Sequence, residues 1–191
     1  MGLYLNGYRL ADHNLSAYLD KNYGIVRNPG MVKRISGYTP LLQADYGKDY
    51  DCSLTCITAM LMEGDPKSTY DKVEEVAKKY FYNGDRGGTI PFFIKAIIDK
   101  VAGVNSKRGY GKGIGYNWEK IRTLIHQNKP IILSIASDGR NYYKNHSVTI
   151  VGYNQYNNGK IRLLAVYDNW HKEISYIDYN RLSVISSINY I

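Results

Sequence analysis

The sequence lacks any long apolar segment. No run of about 18 apolar residues occurs in its 191 positions, and the first thirty residues have no continuous apolar stretch like that of a signal peptide. A membrane-spanning helix is therefore not predicted, and the chain is expected to be soluble. Because a Met-Gly start also suits a mature secreted domain, the compartment stays open, with a secreted or cell-surface location slightly favoured.

Cysteine is scarce. The only two, Cys52 and Cys56, lie four positions apart, which on a helix places their side chains one turn apart. Two cysteines do not make a disulfide framework, and no Cys/His cluster has the spacing of a metal site. Neither a metal nor another cofactor is therefore expected. The pair supplies either a free thiol with a chemical role or two small core residues.

Runs of like charge are also absent. The sequence has 25 Lys and Arg against 17 Asp and Glu, a formal net charge of +8, but the basic residues never form a run of five or six. This scatter argues against nucleic acid as a partner. The basic residues form either an ordinary solvated surface or one attracted to an anionic cell envelope or substrate.

The length and the 44% hydrophobic content are enough for one buried core. Residues 1–40 show little periodicity and are predicted to form an N-terminal extension with a short helix over 15–21. Residues 41–191 are predicted to form one domain.

Within that domain, the apolar pattern changes from helical to β-type near residue 130. The predicted helices cover 52–64, 68–82, 89–103 and 117–128, with caps at Asp51, Ser68, Thr89 and Asn117. The predicted strands cover 130–136, 147–153, 160–167 and 173–177, with a hairpin turn at 157–159. The Gly-rich segment 108–116 is interpreted as a flexible loop beside a cleft. The order predicts an α+β fold, in which a helical first part with a central Cys-bearing helix packs on a C-terminal antiparallel sheet.

Cys52 lies at the predicted start of a buried helix. The positive end of the helix dipole and the unpaired N–H groups of the first turn stabilise a thiolate there, so its pKa should fall. Cys56, one turn deeper, is assigned to core packing. From the helix alone, a packing role for Cys52 is an equal alternative.

The sequence has only four histidines that could act as a base: His13, His126, His146 and His171. His146 directly precedes the predicted strand 147–153, a rigid position that suits a catalytic base. His126, near a helix end, is assigned to the surface, and His171 is kept as a second-choice base.

The next strand brings two candidates for orienting the histidine. Hairpin pairing about the turn near Asn158 places Asp168 or Asn169 beside His146, and either could accept from the imidazole N–H. Gln43, nine positions before Cys52, could join the Cys52 backbone N–H in an oxyanion hole, with a plain loop role as the alternative.

These motifs resemble the papain-like cysteine peptidases, and most closely the bacterial branch typified by bacteriocin leader peptidases, the C-thirty-nine-like group. The family's Asp/Gly-Cys-Gly motif is matched by Asp51-Cys52-Ser53, and its His-x-Val-x-Val-x-Gly-Tyr strand by residues 146–153. Its orienting Asp carries over to Asp168, whereas the Asn-x-Trp pattern of papain itself would indicate Asn169. The resemblance covers roughly residues 43–180. Ser53 departs from the usual glycine, and the segment from Gln43 to Cys52 is a few residues longer than in the family.

The resemblance implies hydrolysis of peptide bonds through a thioester on Cys52, with His146 as base and Asp168 as orienter. Its expected partner is a peptide or protein substrate. The same residues would also serve a peptidoglycan amidase or a transglutaminase. A catalytically silent domain that binds a peptide or glycan through its tyrosine-rich surface is the non-enzymatic alternative.

Overall fold

The computed structural model describes residues 10–24, 29–46, 49–136 and 145–191, with side chains described from residue 15 onward. In these ranges the chain forms five α-helices and eight strands. The helices are α1 (Asp12–Tyr23), α2 (Cys52–Leu61), α3 (Pro66–Lys78), α4 (Ile94–Ala102) and α5 (Trp118–His126). The strands are β1 (Leu10–Ala11), β2 (Met31–Arg34), β3 (Lys107–Tyr110), β4 (Ile131–Ile135), β5 (His146–Tyr156), β6 (Ile161–Tyr167), β7 (Ser175–Asp178) and β8 (Ser186–Tyr190). The predicted α+β class is confirmed.

One antiparallel sheet contains all of these strands. Its order is β1-β7-β6-β5-β4-β8-β3, and β2 pairs with β5 outside this path. The β5–β6 hairpin turns through Asn157, Asn158 and Gly159, all with positive φ (47°, 53° and 83°). These are the residue types that adopt the left-handed conformation most readily, and the predicted hairpin turn is confirmed.

The central strand β5 has two partners along one edge. β4 pairs with its first part, from His146 to Ile150, and β2 pairs with its second part, from Gly152 to Gln155. A Cβ atom on Gly152 would lie 2.3 Å from the carbonyl oxygen of Lys33. Any side chain there would therefore push β2 away, so the glycine allows β2 to continue the edge that β4 begins.

Alternate residues of β4 divide the core into two clusters. Ile131, Leu133 and Ile135 pack with the apolar face of α5, whereas Ile132 packs with α2, α3 and α4. A third cluster joins α1 to β6 and β7. Because α2 is enclosed between the other helices and the sheet, its first residue is held firmly against β5.

The predicted helix caps are only partly correct. Asn117 caps α5 as predicted, since its side chain accepts from the Lys120 N–H at 2.9 Å. The cap of α3 is Asp65 rather than Ser68, and its carboxylate accepts from the N–H of Ser68. Pro66 at the first helical position fixes this earlier start, because its rigid φ suits a helix and it needs no partner for an N–H.

The other two predicted caps make no side-chain capping hydrogen bond. α4 begins after a short 3₁₀ turn over Pro91–Phe93, and neither start has a side-chain cap, so Thr89 does not serve as one. Asp51 does precede α2, but its side chain makes no capping hydrogen bond. Its carboxylate has other partners, described below.

The interpretation of residues 108–116 as a flexible loop is wrong. Lys107–Tyr110 forms β3 and pairs with β8, and a hydrogen-bonded turn follows. A Cβ atom on Gly115 would lie 2.2 Å from the carbonyl oxygen of Tyr110. The glycines of this segment thus permit close backbone packing, which composition alone does not distinguish from flexibility.

The predicted helix over 15–21 is confirmed as part of α1, which packs on the sheet. The boundary at residue 40 between an extension and a domain stays a prediction. None of the helices in the part of the chain that the structure describes is long and apolar enough to cross a membrane.

Candidate active site

The start of α2 lies against the start of β5. The Ser53 hydroxyl oxygen is 2.8 Å from that of Ser147. The side-chain amide of Asn169 donates to the carbonyl oxygens of Cys52 (3.2 Å) and Ser147 (3.0 Å) and so joins the helix to the strand. These contacts bring together Cys52 and His146, 94 positions apart in the sequence.

Cys52 is partly exposed and is hydrogen-bonded to His146. Burial is the largest single influence on the thiol and acts to raise its pKa. The hydrogen bond and positive charge of His146, together with hydrogen bonds from the Ser147 backbone and the Ser53 hydroxyl, outweigh burial, so the pKa of Cys52 is lowered. A thiol with a lowered pKa ionises more readily, and the partial exposure of Cys52 leaves it open to solvent.

His146 is buried, with 5% of its surface exposed. Its Nε2 lies 2.8 Å from the backbone carbonyl oxygen of Asp168. A carbonyl oxygen can only accept, so Nε2 carries the proton and Nδ1 is left for the thiol. The indole of Trp170 stacks on the imidazole, with ring centroids 4.1 Å apart and planes 28° apart, and covers one face of it.

Asp168 reaches His146 as the hairpin register predicts, but the hydrogen bond uses its main chain. Its carboxylate accepts from the N–H groups of Trp170 and His171, at 3.1 and 3.0 Å. The Nδ1 atom of His171 also lies 3.1 Å from this carboxylate. The second-choice base His171 therefore contacts the carboxylate of Asp168. The same carboxylate fixes the turn in which the carbonyl oxygen of Asp168 points at His146.

Asn169, the alternative orienter, is buried beside the helix. Besides the two carbonyl oxygens already named, its amide lies 3.1 Å from the Cys56 sulfur. Its φ of 64° is in the left-handed region, which Asn tolerates better than most residues. These contacts give it the role of a clamp between α2 and β5.

Gln43 begins a 3₁₀ turn near the site and is buried. Its backbone N–H donates to the carbonyl oxygen of Asn169 at 2.8 Å, and its side-chain amide donates to that of Asp49. The segment before α2 is thus tied to the strand end that carries Asp168. The oxyanion role of Gln43 stays a prediction.

Cys56 is fully buried, and burial raises the pKa of its thiol to about 12. It is a neutral core residue at physiological pH, in agreement with the packing role predicted for it.

A buried carboxylate network beside Cys52 was not predicted from the sequence. Asp51 is completely buried and accepts hydrogen bonds from the hydroxyls of Tyr70 and Tyr82. Burial, and then these bonds to Asp51, raise the pKa of both tyrosines. The tyrosines lie on and just after α3, and the ring of Tyr46 stacks on that of Tyr70 at 4.0 Å. An acidic residue directly before the cysteine was the only sequence signal of this arrangement.

The contact between the hydroxyls of Ser53 and Ser147 was also not predicted from the sequence. The only sign of it in the sequence was a serine at position 53, where the family resemblance leads one to expect glycine. Across the described ranges, no group of three His, Cys, Asp or Glu side chains is arranged to hold a metal ion.

Comparisons with known proteins give a family and a fold for this chain. Residues 32–186 match the model of the Peptidase_C39 like family. The chain is also similar to the crystal structure of UfSP from C. elegans, with a TM-score of 0.54 and 10% identity over 95% of this chain and 37% of that one. The chain thus spans little more than a third of that protein, and at this identity the likeness concerns the fold alone. The comparison with curated proteins gave no match.

The family match covers most of the chain, including every element from α2 through β7. The predictions of a papain-like fold and of the C-thirty-nine-like branch of the cysteine peptidases are thereby confirmed at the level of fold and family. The chain belongs to the Peptidase_C39 like family.

Proposed function

We propose that this protein hydrolyses peptide bonds, with Cys52 as the nucleophile and His146 as the general base. One observation carries the proposal: a partly exposed thiol at a helix start, hydrogen-bonded to a buried imidazole, with its pKa lowered. A lowered pKa increases the fraction of the thiol that is present as the nucleophilic thiolate.

In the first step, the Cys52 sulfur attacks the carbonyl carbon of the scissile amide while the thiol proton resides on Nδ1 of His146. Collapse of the tetrahedral intermediate breaks the C–N bond, and the imidazolium gives its proton to the leaving amine. The product is a thioester on Cys52. Water then attacks the thioester carbon and loses a proton to His146. The C–S bond breaks, the acid leaves, and the imidazolium returns its proton to the Cys52 sulfur.

Asp168 is the proposed third member of the catalytic group. Its carbonyl oxygen accepts from Nε2 at 2.8 Å, which fixes the tautomer, and its carboxylate holds the turn. Asn169 is the weaker candidate for this role, because its amide is engaged by α2 and β5.

The backbone N–H of Cys52, at the start of α2, is the first proposed donor to the oxyanion. Gln43 is the proposed second donor. Its backbone N–H donates to the carbonyl oxygen of Asn169 at 2.8 Å, which ties the segment before α2 to the chain that follows Asp168.

The substrate is proposed to be a peptide or protein. The net charge of +8 favours acidic segments, or a substrate presented on an anionic envelope.

Digestion of a random peptide library, read by mass spectrometry, tests the proposal. Wild-type protein should cleave a subset of the peptides, Cys52→Ala should cleave none, and Cys56→Ala should cleave as wild type does. A thiol-alkylating probe such as a peptidyl epoxide, whose ring the thiolate opens to form a thioether, should label Cys52 alone.

Two other arms separate the rival activities. Release of amino groups from purified cell wall, without peptide cleavage, would indicate an amidase. Amine incorporation into a glutamine-containing peptide would indicate a transglutaminase. A Cys52 thiol with an ordinary pKa and no turnover in any arm would contradict the proposal and favour a binding domain.

A further inference from the structure

Three buried hydroxyls form a row that begins at the nucleophile. Ser53, the residue after Cys52, is 2.8 Å from Ser147, measured between hydroxyl oxygens, and Ser147 is 3.0 Å from Ser134 on the neighbouring strand. All three are at most 3% exposed. The row therefore crosses from α2 to β5 and on to β4 within the protein interior.

A hydroxyl donates one hydrogen and accepts at the same oxygen, so a row of hydroxyls can point all its hydrogens in one direction. If Ser134 donates to Ser147 and Ser147 donates to Ser53, the hydrogen of Ser53 is left for the sulfur of Cys52. Each bond polarises the next, and in a buried, low-dielectric site such bonds act strongly on a nearby charge.

We propose that Ser53 is a thiolate-stabilising residue, which donates a hydrogen bond to the Cys52 sulfur and is held in that orientation by Ser147 and Ser134. This inference deepens the proposed function and rests on it. A glycine at position 53, as the family resemblance leads one to expect, has no hydroxyl to donate. The row is thus a property of this chain's own residues.

Other groups act on the same sulfur. His146 on β5 supplies a hydrogen bond and a positive charge, and the backbone of Ser147 supplies a second hydrogen bond. Asp51 before the helix is held by Tyr70 and Tyr82, and the Asp168 carboxylate is held by the turn after β6. The titratable neighbour on the helix itself is Cys56. Replacement of a serine hydroxyl leaves all of these groups in place, so a change in thiol reactivity reports on the row.

The experiment measures the rate of Cys52 alkylation by iodoacetamide from pH 4 to 10, with the modified residue identified by mass spectrometry. Ser53→Ala should raise the midpoint of the profile by about half to one pH unit, which lowers the rate at pH values well below the wild-type midpoint roughly three- to tenfold. Ser53→Thr, which restores a hydroxyl, should return the midpoint toward wild type. Ser147→Ala and Ser134→Ala should shift it in the same direction by smaller amounts.

Thr58→Val is the matched control. Thr58 lies on the same helix, is fully buried, and its hydroxyl has no hydrogen-bond partner among the described residues. Its loss should leave the midpoint unchanged.

The outcomes separate the two proposals. A lowered midpoint in wild type with no shift in Ser53→Ala would overturn the role of Ser53 and leave the peptidase proposal intact. An ordinary thiol midpoint in wild type would overturn both. If Ser53→Ala fails to fold, Ser134→Ala is the test instead, because it removes a hydroxyl farther from the helix. An unchanged alkylation midpoint in Ser134→Ala would contradict the proposed effect of the hydroxyl row on Cys52.

Discussion

Two cysteines on one helix have opposite properties. Cys52, at the first residue of α2, is partly exposed and has a lowered pKa, whereas Cys56, one turn later, is fully buried and has a pKa raised to about 12. Burial opposes ionisation of both thiols. Only Cys52 has an imidazole beside it, and the hydrogen bond and charge of His146 are the largest influences that lower the pKa of Cys52.

The strongest test of this comparison removes the base. His146→Ala should lower peptide turnover by about 10² to 10⁴, the usual contribution of a general base, and should raise the Cys52 alkylation midpoint toward that of an ordinary thiol. His126→Ala is a suitable control, since His126 lies at the end of α5 and its Nε2 contacts the Tyr153 hydroxyl. Equal losses in the two variants would mean that His146 has no special role.

Asn169 contacts the carbonyl oxygens of Cys52 and Ser147 and the sulfur of Cys56. Its replacement should therefore weaken the packing of α2 on β5. Asn169→Gly keeps the positive φ but loses the buried amide contacts, which should lower the free energy of unfolding by about 1–3 kcal/mol. Asn169→Ala should be less stable still, because alanine does not favour a φ of 64°. Urea denaturation measures both. An alanine variant as stable as the glycine variant would show that the backbone there is not constrained.

The two thiols should also give opposite pH dependence of stability. The folded pKa of Cys56 is raised from 9.0 to about 12, so its contribution is full below pH 9 and is lost as the pH rises toward 12. At pH 10 the stability lost from this source is about 1.4 kcal/mol relative to a non-titrating Cys56→Ser variant. The folded pKa of Cys52 is lowered, so its contribution is full above pH 9 and is lost as the pH falls toward the folded pKa.

Denaturation at several pH values, with Cys52→Ser and Cys56→Ser each compared with wild type, checks these signs. The stability differences of the two variants should have slopes of opposite sign over their respective pH windows. Slopes of the same sign would contradict the contrast between the thiols.

The smallest expected effect concerns the ring that covers His146. Trp170→Ala should reduce kcat/KM only severalfold, since Trp170 is 41% exposed and contacts the imidazole by stacking. Trp170→Phe should keep most of the activity. A loss as large as that of His146→Ala would mean that the indole does more than cover the base.

The sequence allowed prediction of the parts of the fold that depend on local pattern. Helical periodicity predicted the helices, and alternation with a turn at 157–159 predicted the β5–β6 hairpin, whose register brings Asp168 to His146. By contrast, β3 and β8 pair across most of the second half of the chain. The local sequence does not indicate that β3 is a strand. Its glycine permits a close backbone contact that exists only in the folded protein.

The site was predictable in residue type but not in atomic detail. A cysteine at a helix start and a histidine at a strand start can be recognised from neighbouring residues. Which atom of Asp168 faces the imidazole depends on a turn whose side-chain bonds cannot be derived from spacing, and the same holds for the tyrosines that hold Asp51.

The acceptor that faces His146 belongs to the main chain, and this has a consequence for the tolerance of the site to substitution. An alanine scan removes side chains and leaves every peptide carbonyl where the backbone puts it. Position 168 could therefore vary among homologues without loss of this acceptor, as long as another residue maintained the bend. Residues that shape the path of the chain at that bend would then be under stronger selection than the residue whose oxygen makes the contact.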